Sequence, residues 1–168
     1  MTRAMDSSLE PIENWFSQQG WTPLRFQKQA WQAHLGGRSG LIQVPTGSGK
    51  TYAAVMGAIA AMLAEGQPPK GLRLLYITPL RALSRDLELA LLQPINTMGW
   101  PITVGTRNGD TASAVRSKQL KNPPNILITT PESLALLQAN KRSEALVEEL
   151  QCVVLDEWHE LLGSKRGV

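Results

Sequence analysis

Apolar residues recur at helical spacing near the start of the chain. Leu9, Ile12 and Phe16 lie three or four residues apart, and the segment 24–35 repeats this pattern. Such spacing places one apolar stripe along a helix, and a glycine follows each segment, as is common where helices end. The pattern predicts two helices ahead of the remainder of the fold.

Beyond residue 38, short apolar runs alternate with longer segments of helical periodicity. The runs that predict strands are 41–44, 72–78, 102–105, 125–129 and 151–155. The segments that predict helices are 50–65, 80–98, 111–121, 131–140 and 143–150, and Pro94 predicts a kink or a break in the second of them. Strands alternating with helices indicate βαβ units and an α/β fold with a parallel sheet flanked by helices.

Length and composition fit a small globular protein. The chain has 168 residues, 42% of them hydrophobic and 18% charged, which excludes a disordered or fibrous chain. We expect N-terminal helices over residues 1–38 and one α/β domain over 39–168. The formal net charge of +3 permits contact with a polyanion without requiring it.

The cysteine count and the apolar runs bear on the compartment. Cys152 is the single cysteine, so no disulfide framework is possible and a reducing cytoplasm is the expected location. It lies within an apolar run and is expected to be a buried strand residue. The start of the chain lacks the pattern of an export signal, and no apolar run reaches the roughly 20 residues of a membrane span.

The strongest chemical signal is the sequence LIQVPTGSGKT over residues 41–51. Gly47 and Gly49 allow successive backbone N–H groups to point inward at the start of a helix, which makes a cradle for phosphate. Lys50 is placed to reach the β- and γ-phosphates of a nucleotide, and the Thr51 hydroxyl to ligate Mg²⁺. The segment therefore predicts an ATP site.

The sequence matches the second half of the phosphate-loop pattern, GxGK(S/T), rather than the full pattern. Val44 stands where the full pattern has glycine, while Thr46 and Ser48 complete the loop that we assign to cofactor binding. The alternative is a glycine-rich turn that binds nothing. Because the lysine, the threonine and the flanking apolar run and helix all agree, we favour the nucleotide site.

An acidic pair follows the last apolar run. Asp156 is placed to hold Mg²⁺, and Glu157 to orient and deprotonate an attacking water. Two adjacent carboxylates also commonly open helices, so alone the pair is a weak signal. Together with the phosphate loop it indicates nucleotide hydrolysis.

The order of these motifs resembles superfamily 2 helicases of the DEAD/DEAH type. VPTGSGKT is similar to their motif I, and the sequence DEWH at residues 156–159 is similar to motif II. The resemblance implies a RecA-like P-loop NTPase lobe in which His159 couples the ATP site to motif III. The segment around Gln27 resembles the Q motif, whose glutamine reads the adenine edge, and Gln29 is the second candidate.

Two further segments resemble the motifs that touch the nucleic-acid backbone in this family. The sequence TPLRAL at 78–83, with Arg81, resembles motif Ia, and TTPES at 129–133 resembles motif Ib. Thr130 is independently placed as a helix N-cap with Pro131 at the first helical position, so free N–H groups can face a phosphate. A cap with no further role is the alternative.

Within the superfamily, three sequences look most like the Lhr-type (large helicase-related) group. They are RNGDT at 107–111, TPES and DEWHEL, and LGSKRG at 162–167 favours its ligase-associated branch. The resemblance implies an ATP-dependent 3′-to-5′ DNA translocase in DNA repair, with a DNA ligase as a candidate partner. It also implies nucleic-acid contacts at Arg107, Gly109 and Asp110, with DNA favoured over RNA.

Motif III and the second lobe of these helicases have no counterpart in the sequence, so we expect a lobe truncated after motif II. Unpaired strand edges would then make the isolated chain marginally stable or prone to aggregate. Its hydrolysis should be very slow, since arginines of the second lobe are typically worth ~10³–10⁵ in rate. The alternatives are an RNA helicase of the same superfamily, a P-loop kinase or switch protein, and an inactive nucleotide-binding fragment.

Overall fold

The computed structural model describes residues 2–140 and 143–162. The chain divides into two compact units, Met1–Pro68 and Pro69–Val168. Each unit is described below by itself, and the domain boundary expected after residue 38 stays a prediction. Residues 163–167, which carry most of the sequence that favoured the ligase-associated branch, lie outside the described residues.

The described part of the first unit is built from helices. These are α1 (Thr2–Gln18), α2 (Arg25–Leu35) and α3 (Lys50–Ala64), and all three were predicted. Trp15 and Trp31 are fully buried, and the Phe16 ring meets both of them edge to face, at 5.2 Å from Trp15 and 5.4 Å from Trp31. Trp31 also donates a hydrogen bond from Nε1 to the Tyr52 carbonyl at 2.9 Å, which ties α2 to α3. Aromatic packing thus forms the core of this unit.

The second unit holds a sheet of four parallel strands with helices in the connections. The strands are β1 (Leu74–Ile77), β2 (Val104–Arg107), β3 (Ile126–Thr129) and β4 (Cys152–Leu155). The helices are α4 (Leu83–Met98), α5 (Ser113–Lys121), α6 (Pro131–Gln138), α7 (Ser143–Val147) and α8 (Trp158–Leu162). The strand order is β2-β3-β1-β4, which confirms the predicted parallel α/β sheet.

The four strands end in register. Ile77 of β1 lies opposite Thr129 of β3 and Leu155 of β4, and Thr129 lies opposite Arg107 of β2. Because all strands run parallel, the loops that follow them begin side by side at one edge of the sheet. That carboxyl edge is where the predicted motifs of this unit lie.

Burial separates the inner strands from the outer ones. Every residue of β1 and β3 is buried, as a parallel strand in the middle of a sheet requires. In β4 burial alternates, and Val153 and Leu155 are 52% and 56% exposed. The core beside the sheet contains leucines from strands and helices, among them Leu75, Leu127 and Leu137.

Two predictions of local structure are wrong, and of the two outcomes expected at Pro94 the break does not occur. Residues 41–44 form no strand: Leu41 is 67% exposed, and the segment joins no ladder within the described residues, so its apolar pattern lacks the partner that a strand needs. The strand predicted at 102–105 lies two residues later, at Val104–Arg107. Pro94 does not break α4, which continues through it to Met98.

None of the helices in the described part of the chain combines the length and the apolar character that a membrane span requires.

Candidate functional site

The phosphate loop adopts the backbone that its glycines permit. Gly47 and Gly49 have φ angles of +80° and +85°, in the left-handed region that side chains disfavour. Gly49 caps α3, so Lys50 is the first residue of the helix and Thr51 the second. Thr46 is exposed, and the Ser48 hydroxyl donates a hydrogen bond to the Pro45 carbonyl across the turn. The N–H groups of the first turn of α3 therefore follow directly on this turn, as in an anion cradle.

Gln27 connects the start of α2 to the phosphate loop. Its Oε1 accepts a hydrogen bond from the Leu24 backbone N–H at 2.8 Å, and its Nε2 donates to the Gly49 carbonyl at 3.2 Å. The side chain is buried, whereas Gln29, the second candidate for the Q motif, is exposed. A Cβ at position 49 would lie 2.5 Å from Gln27 Nε2, so the contact needs glycine there. The sequence pointed to Gln27 for adenine but did not reveal this bond.

Motif II begins where β4 ends. The Asp156 N–H donates to the Ile77 carbonyl at 2.9 Å, which fixes Asp156 at the carboxyl edge beside β1. Glu157 has a φ of +47°, the one positive φ of a non-glycine residue in the described part of the chain. Such a backbone is uncommon outside glycine and is found preferentially at functional sites. It turns the chain from β4 into α8.

His159 stands on the first turn of α8. Its imidazole is 62% exposed, and Nε2 lies 3.6 Å from a Glu157 carboxylate oxygen and 3.7 Å from one of Glu160. These separations exceed a direct hydrogen bond but suit an electrostatic contact. Two carboxylates therefore lie near Nε2 of the ring that the family resemblance assigns to coupling.

The loop after β3 confirms the predicted helix cap. Thr130 has extended backbone angles, φ −106° and ψ 159°, and Pro131 occupies the first position of α6. The Leu134 N–H bonds to the Thr130 carbonyl at 2.9 Å, while the Thr130 hydroxyl makes no capping bond within the described residues. The start of α6 thus presents N–H groups at the carboxyl edge.

Arg107 lies inside the fold. It is 8% exposed and donates from Nη1 to the Arg116 carbonyl at 3.1 Å, with Gln119 Oε1 at 3.5 Å. Burial, and then the positive charge of Arg116, lowers the pKa of Arg107. Thr129 Oγ1 donates to the Arg107 carbonyl at 2.8 Å. In this position Arg107 braces β2, β3 and α5, and its predicted contact with nucleic acid remains a prediction.

Arg81 is the exposed counterpart at the same edge. It lies in the turn between β1 and α4 and is 58% exposed. Its Nη1 donates to Asp110 Oδ1 at 3.1 Å, and its guanidinium lies over the backbone of Gly109. The structure therefore brings Arg81 of motif Ia together with Gly109 and Asp110, which the sequence suggested for nucleic-acid contact in a different segment.

Residues 24–168 match the family model for DEAD/DEAH box helicases. The chain belongs to this helicase family. The fold neighbours agree, since the helicase Lhr of Mycobacterium smegmatis, solved with ssDNA and AMP-PNP, superposes with a TM-score of 0.81 at 36% identity over 92% of this chain. The DUF1998 helicase MrfA, solved with DNA and AMPPNP, superposes with a TM-score of 0.79 at 32% identity over 90% of this chain.

Curated sequences also include Lhr-type helicases among the relatives of this chain. The Lhr helicase/uracil glycosylase of Escherichia coli is 37% identical over 92% of this chain. The predicted RecA-like fold and the resemblance to Lhr-type helicases are thus confirmed. The chain spans 11% of that relative and 21% of the chains of the Lhr and MrfA structures, so it corresponds to a small part of each.

Proposed function

We propose that this chain is the ATP-binding lobe of an ATP-dependent DNA helicase or translocase. The observation that carries the proposal is the carboxyl edge of the sheet. There four in-register parallel strands deliver the motif Ia loop, the RNGD loop, motif Ib and motif II side by side. Ligands of open α/β sheets bind at the carboxyl ends of the strands. A P-loop kinase or switch protein would not need the first three of these loops.

The phosphate loop is the proposed ATP site of the first unit. Gly47 and Gly49 already hold the positive φ angles that a phosphate cradle uses, and α3 begins immediately after them. In this proposal the backbone of Thr46 to Gly49 encloses the phosphates and Lys50 neutralises their charge. Gln27, anchored to Gly49, would read the adenine edge by exchanging its present partners.

On the family resemblance, the Thr51 hydroxyl of the first unit and the Asp156 carboxylate of the second unit are each proposed as an Mg²⁺ ligand. Both are hard oxygen donors, which suits an ion that keeps several waters and binds through one or two protein groups. No group of three His, Cys, Asp or Glu side chains that could hold a metal by itself is found in the described part of the chain. When bound, Mg²⁺ would neutralise charge that develops on the phosphates.

Hydrolysis itself is assigned to motif II. Glu157 is half-buried at the strand end, where its carboxylate can orient a water and accept its proton. His159, beside Glu157, is proposed to pass the state of the nucleotide to neighbouring motifs. These roles are proposed from the family resemblance, and the position of Glu157 at the strand end with His159 close to it supports them.

DNA is the proposed polymer. The N–H groups at the start of α6 and the exposed Arg81 suit phosphate contacts, which carry no sequence information. DNA is favoured over RNA because the Lhr and MrfA neighbours were solved with DNA. A role in DNA repair, a DNA ligase partner and a cytoplasmic location extend the same proposal, the last supported by the single cysteine.

The test is ATP hydrolysis by the full-length protein with single-stranded DNA, with RNA and with neither. We expect stimulation by DNA that is lost in Lys50→Ala and kept in Lys70→Ala, a control that removes an exposed lysine elsewhere. Stimulation by RNA alone would replace the proposal with an RNA helicase. Hydrolysis indifferent to either polymer would indicate a P-loop enzyme without motor function, and no hydrolysis at all an inactive nucleotide-binding protein.

A further inference from the structure

We propose that Gly109 and Asp110 are positioning residues that hold the Arg81 guanidinium ready for a nucleic-acid phosphate. The inference rests on the proposed function, because it assumes that the polymer contacts the carboxyl edge. It goes further by naming the residues that place the phosphate contact.

The contact joins two loops that are not neighbours in the sheet. Arg81 follows β1 and Asp110 follows β2, while β3 pairs with both strands and lies between them. Adjacent strands lie about 4.8 Å apart, so the Arg81 side chain must reach across the end of β3 to meet Asp110. The start of α6, which follows β3, offers N–H groups at the same edge of the sheet.

Gly109 makes the close approach of the two loops possible. A Cβ built at this position would lie 2.9 Å from Arg81 Nη2 and 3.0 Å from Arg81 Cζ. A side chain at position 109 would displace the Arg81 guanidinium from its present position. Because the end of an arginine side chain moves easily, the change would displace Arg81 at little cost in stability. The φ of Gly109 is not in the left-handed region, so alanine fits the backbone.

The loop under Arg81 is braced from within. The Asp110 N–H donates to Asn108 Oδ1 at 2.9 Å, and the Asn108 N–H donates to Thr111 Oγ1 at 3.0 Å. In addition, Arg116 Nη2 donates to the carbonyls of Asn108 and Gly109, at 2.9 and 3.2 Å. The backbone that supports the guanidinium is therefore fixed before any ligand binds, which is the condition for preorganised recognition.

The ion pair of Arg81 and Asp110 is better suited to orienting the guanidinium than to stabilising the fold. Arg81 and Asp110 are 58% and 73% exposed, and ion pairs this exposed contribute little to folding. Asp110 accepts from Nη1, and a guanidinium carries five N–H donors in a rigid fork, so donors remain for a phosphate. An arginine already held in one orientation loses less freedom when it binds.

The test is a double-mutant cycle on the full-length protein, with affinity for single-stranded DNA measured at several salt concentrations. Arg81→Ala should weaken binding by about 3- to 10-fold and lower the salt slope by about one. Gly109→Ala should weaken it in the same direction without changing any charge, and should have no effect in the Arg81→Ala background. Gly40→Ala is the matched control, since a Cβ there meets nothing within 4 Å.

Asp110→Asn completes the cycle. It removes a negative charge near the phosphate as well as a partner of Arg81, so its effect is compared between the two backgrounds. The effect of Asp110→Asn on DNA affinity is measured with Arg81 present and again in the Arg81→Ala background. With Arg81 present, the substitution should be less favourable for binding by about twofold or more than it is in Arg81→Ala. Glu148→Gln, which removes one charge from an exposed residue shortly before β4 begins, is the control.

The outcomes separate the inference from the function that it rests on. If Arg81→Ala leaves DNA affinity unchanged, the polymer does not use this edge as proposed and the proposed contact fails. If Arg81→Ala weakens binding but Gly109→Ala is silent, or costs equally in both backgrounds, the positioning role is overturned while the contact stands.

Discussion

The two units position their motifs by different means. In the second unit, strands in register set Thr78, Asn108, Thr130 and Asp156 at one edge, and the loops inherit their places from the sheet. Among the described residues of the first unit, no strand precedes the phosphate loop, whose shape depends on two glycines with positive φ and on the bond from Gln27 to Gly49. Backbone pairing in the sheet sets the positions of many residues at once, whereas the shape of the phosphate loop depends on a few specific contacts.

This difference makes the helical unit more sensitive to single side chains. Its α2 and α3 are joined by packing and by the hydrogen bond from Trp31 to the carbonyl of Tyr52, the residue that follows Thr51 in α3. The sheet distributes the same task over ladders of backbone hydrogen bonds, which no side-chain change removes directly. Substitutions in the two cores therefore test the comparison.

The largest effect is expected for Trp31→Ala. The side chain is fully buried, so its loss should lower the free energy of unfolding by roughly 3–5 kcal/mol. We expect faster hydrogen exchange concentrated in α2 and α3, together with weaker nucleotide binding. Trp21→Ala, which removes a ring that is 47% exposed, should cost much less. Equal loss of protection in β1 and β3 would break the comparison.

Leu127→Ala tests the sheet. Leu127 is 1% exposed in the core cluster beside β1, and its truncation should lower the free energy of unfolding by roughly 2–5 kcal/mol. At temperatures where the chain remains folded, hydrogen exchange should rise along β3 and β1 while the amides of α3 keep their protection. Leu89→Ala, at a 53% exposed position of α4, is the control. A loss of protection centred on α3 would contradict the distinction.

A smaller effect is expected from pH, through the edge strand. Burial raises the pKa of the Cys152 thiol to about 11 from an ordinary value of 9.0. Between these values the unfolded chain loses the thiol proton while the folded chain keeps it, so stability should fall as pH rises through this range. Thermal unfolding at pH 8 and pH 10 measures this, and Cys152→Ala should abolish that part of the pH dependence. An unchanged dependence in the variant would show that other groups cause it.

The sequence was sufficient for the parts of the fold that rest on local pattern. The buried runs that became β1, β3 and β4 carry their own signal, and Thr130 with Pro131 predicts a helix start from two residues alone. The phosphate loop is predicted from Gly47, Gly49, Lys50 and Thr51, and both glycines adopt the positive φ angles that favour glycine.

What the sequence could not predict depends on partners distant in the chain. Residues 41–44 have the apolar pattern of a strand, but a strand exists only with a neighbour to pair with. The burial of Arg107 follows from the carbonyl of Arg116 and from Gln119, and no local pattern marks an arginine as internal. The same holds for the bridge from Arg81 to Asp110, which spans a strand that separates them in the sheet.

The central claim is that the phosphate loop serves ATP hydrolysis whereas Arg81 at the carboxyl edge serves DNA binding. Its most direct test is a titration of ATP hydrolysis with single-stranded DNA, using the full-length protein. Lys50→Ala should lower the rate at saturating DNA by about 10²–10³, because a charge that stabilises the transition state is lost. Arg81→Ala should leave that rate unchanged while raising the DNA concentration for half-maximal stimulation by about 3- to 10-fold. A fall in the saturating rate for Arg81→Ala with no change in the DNA requirement would contradict the account.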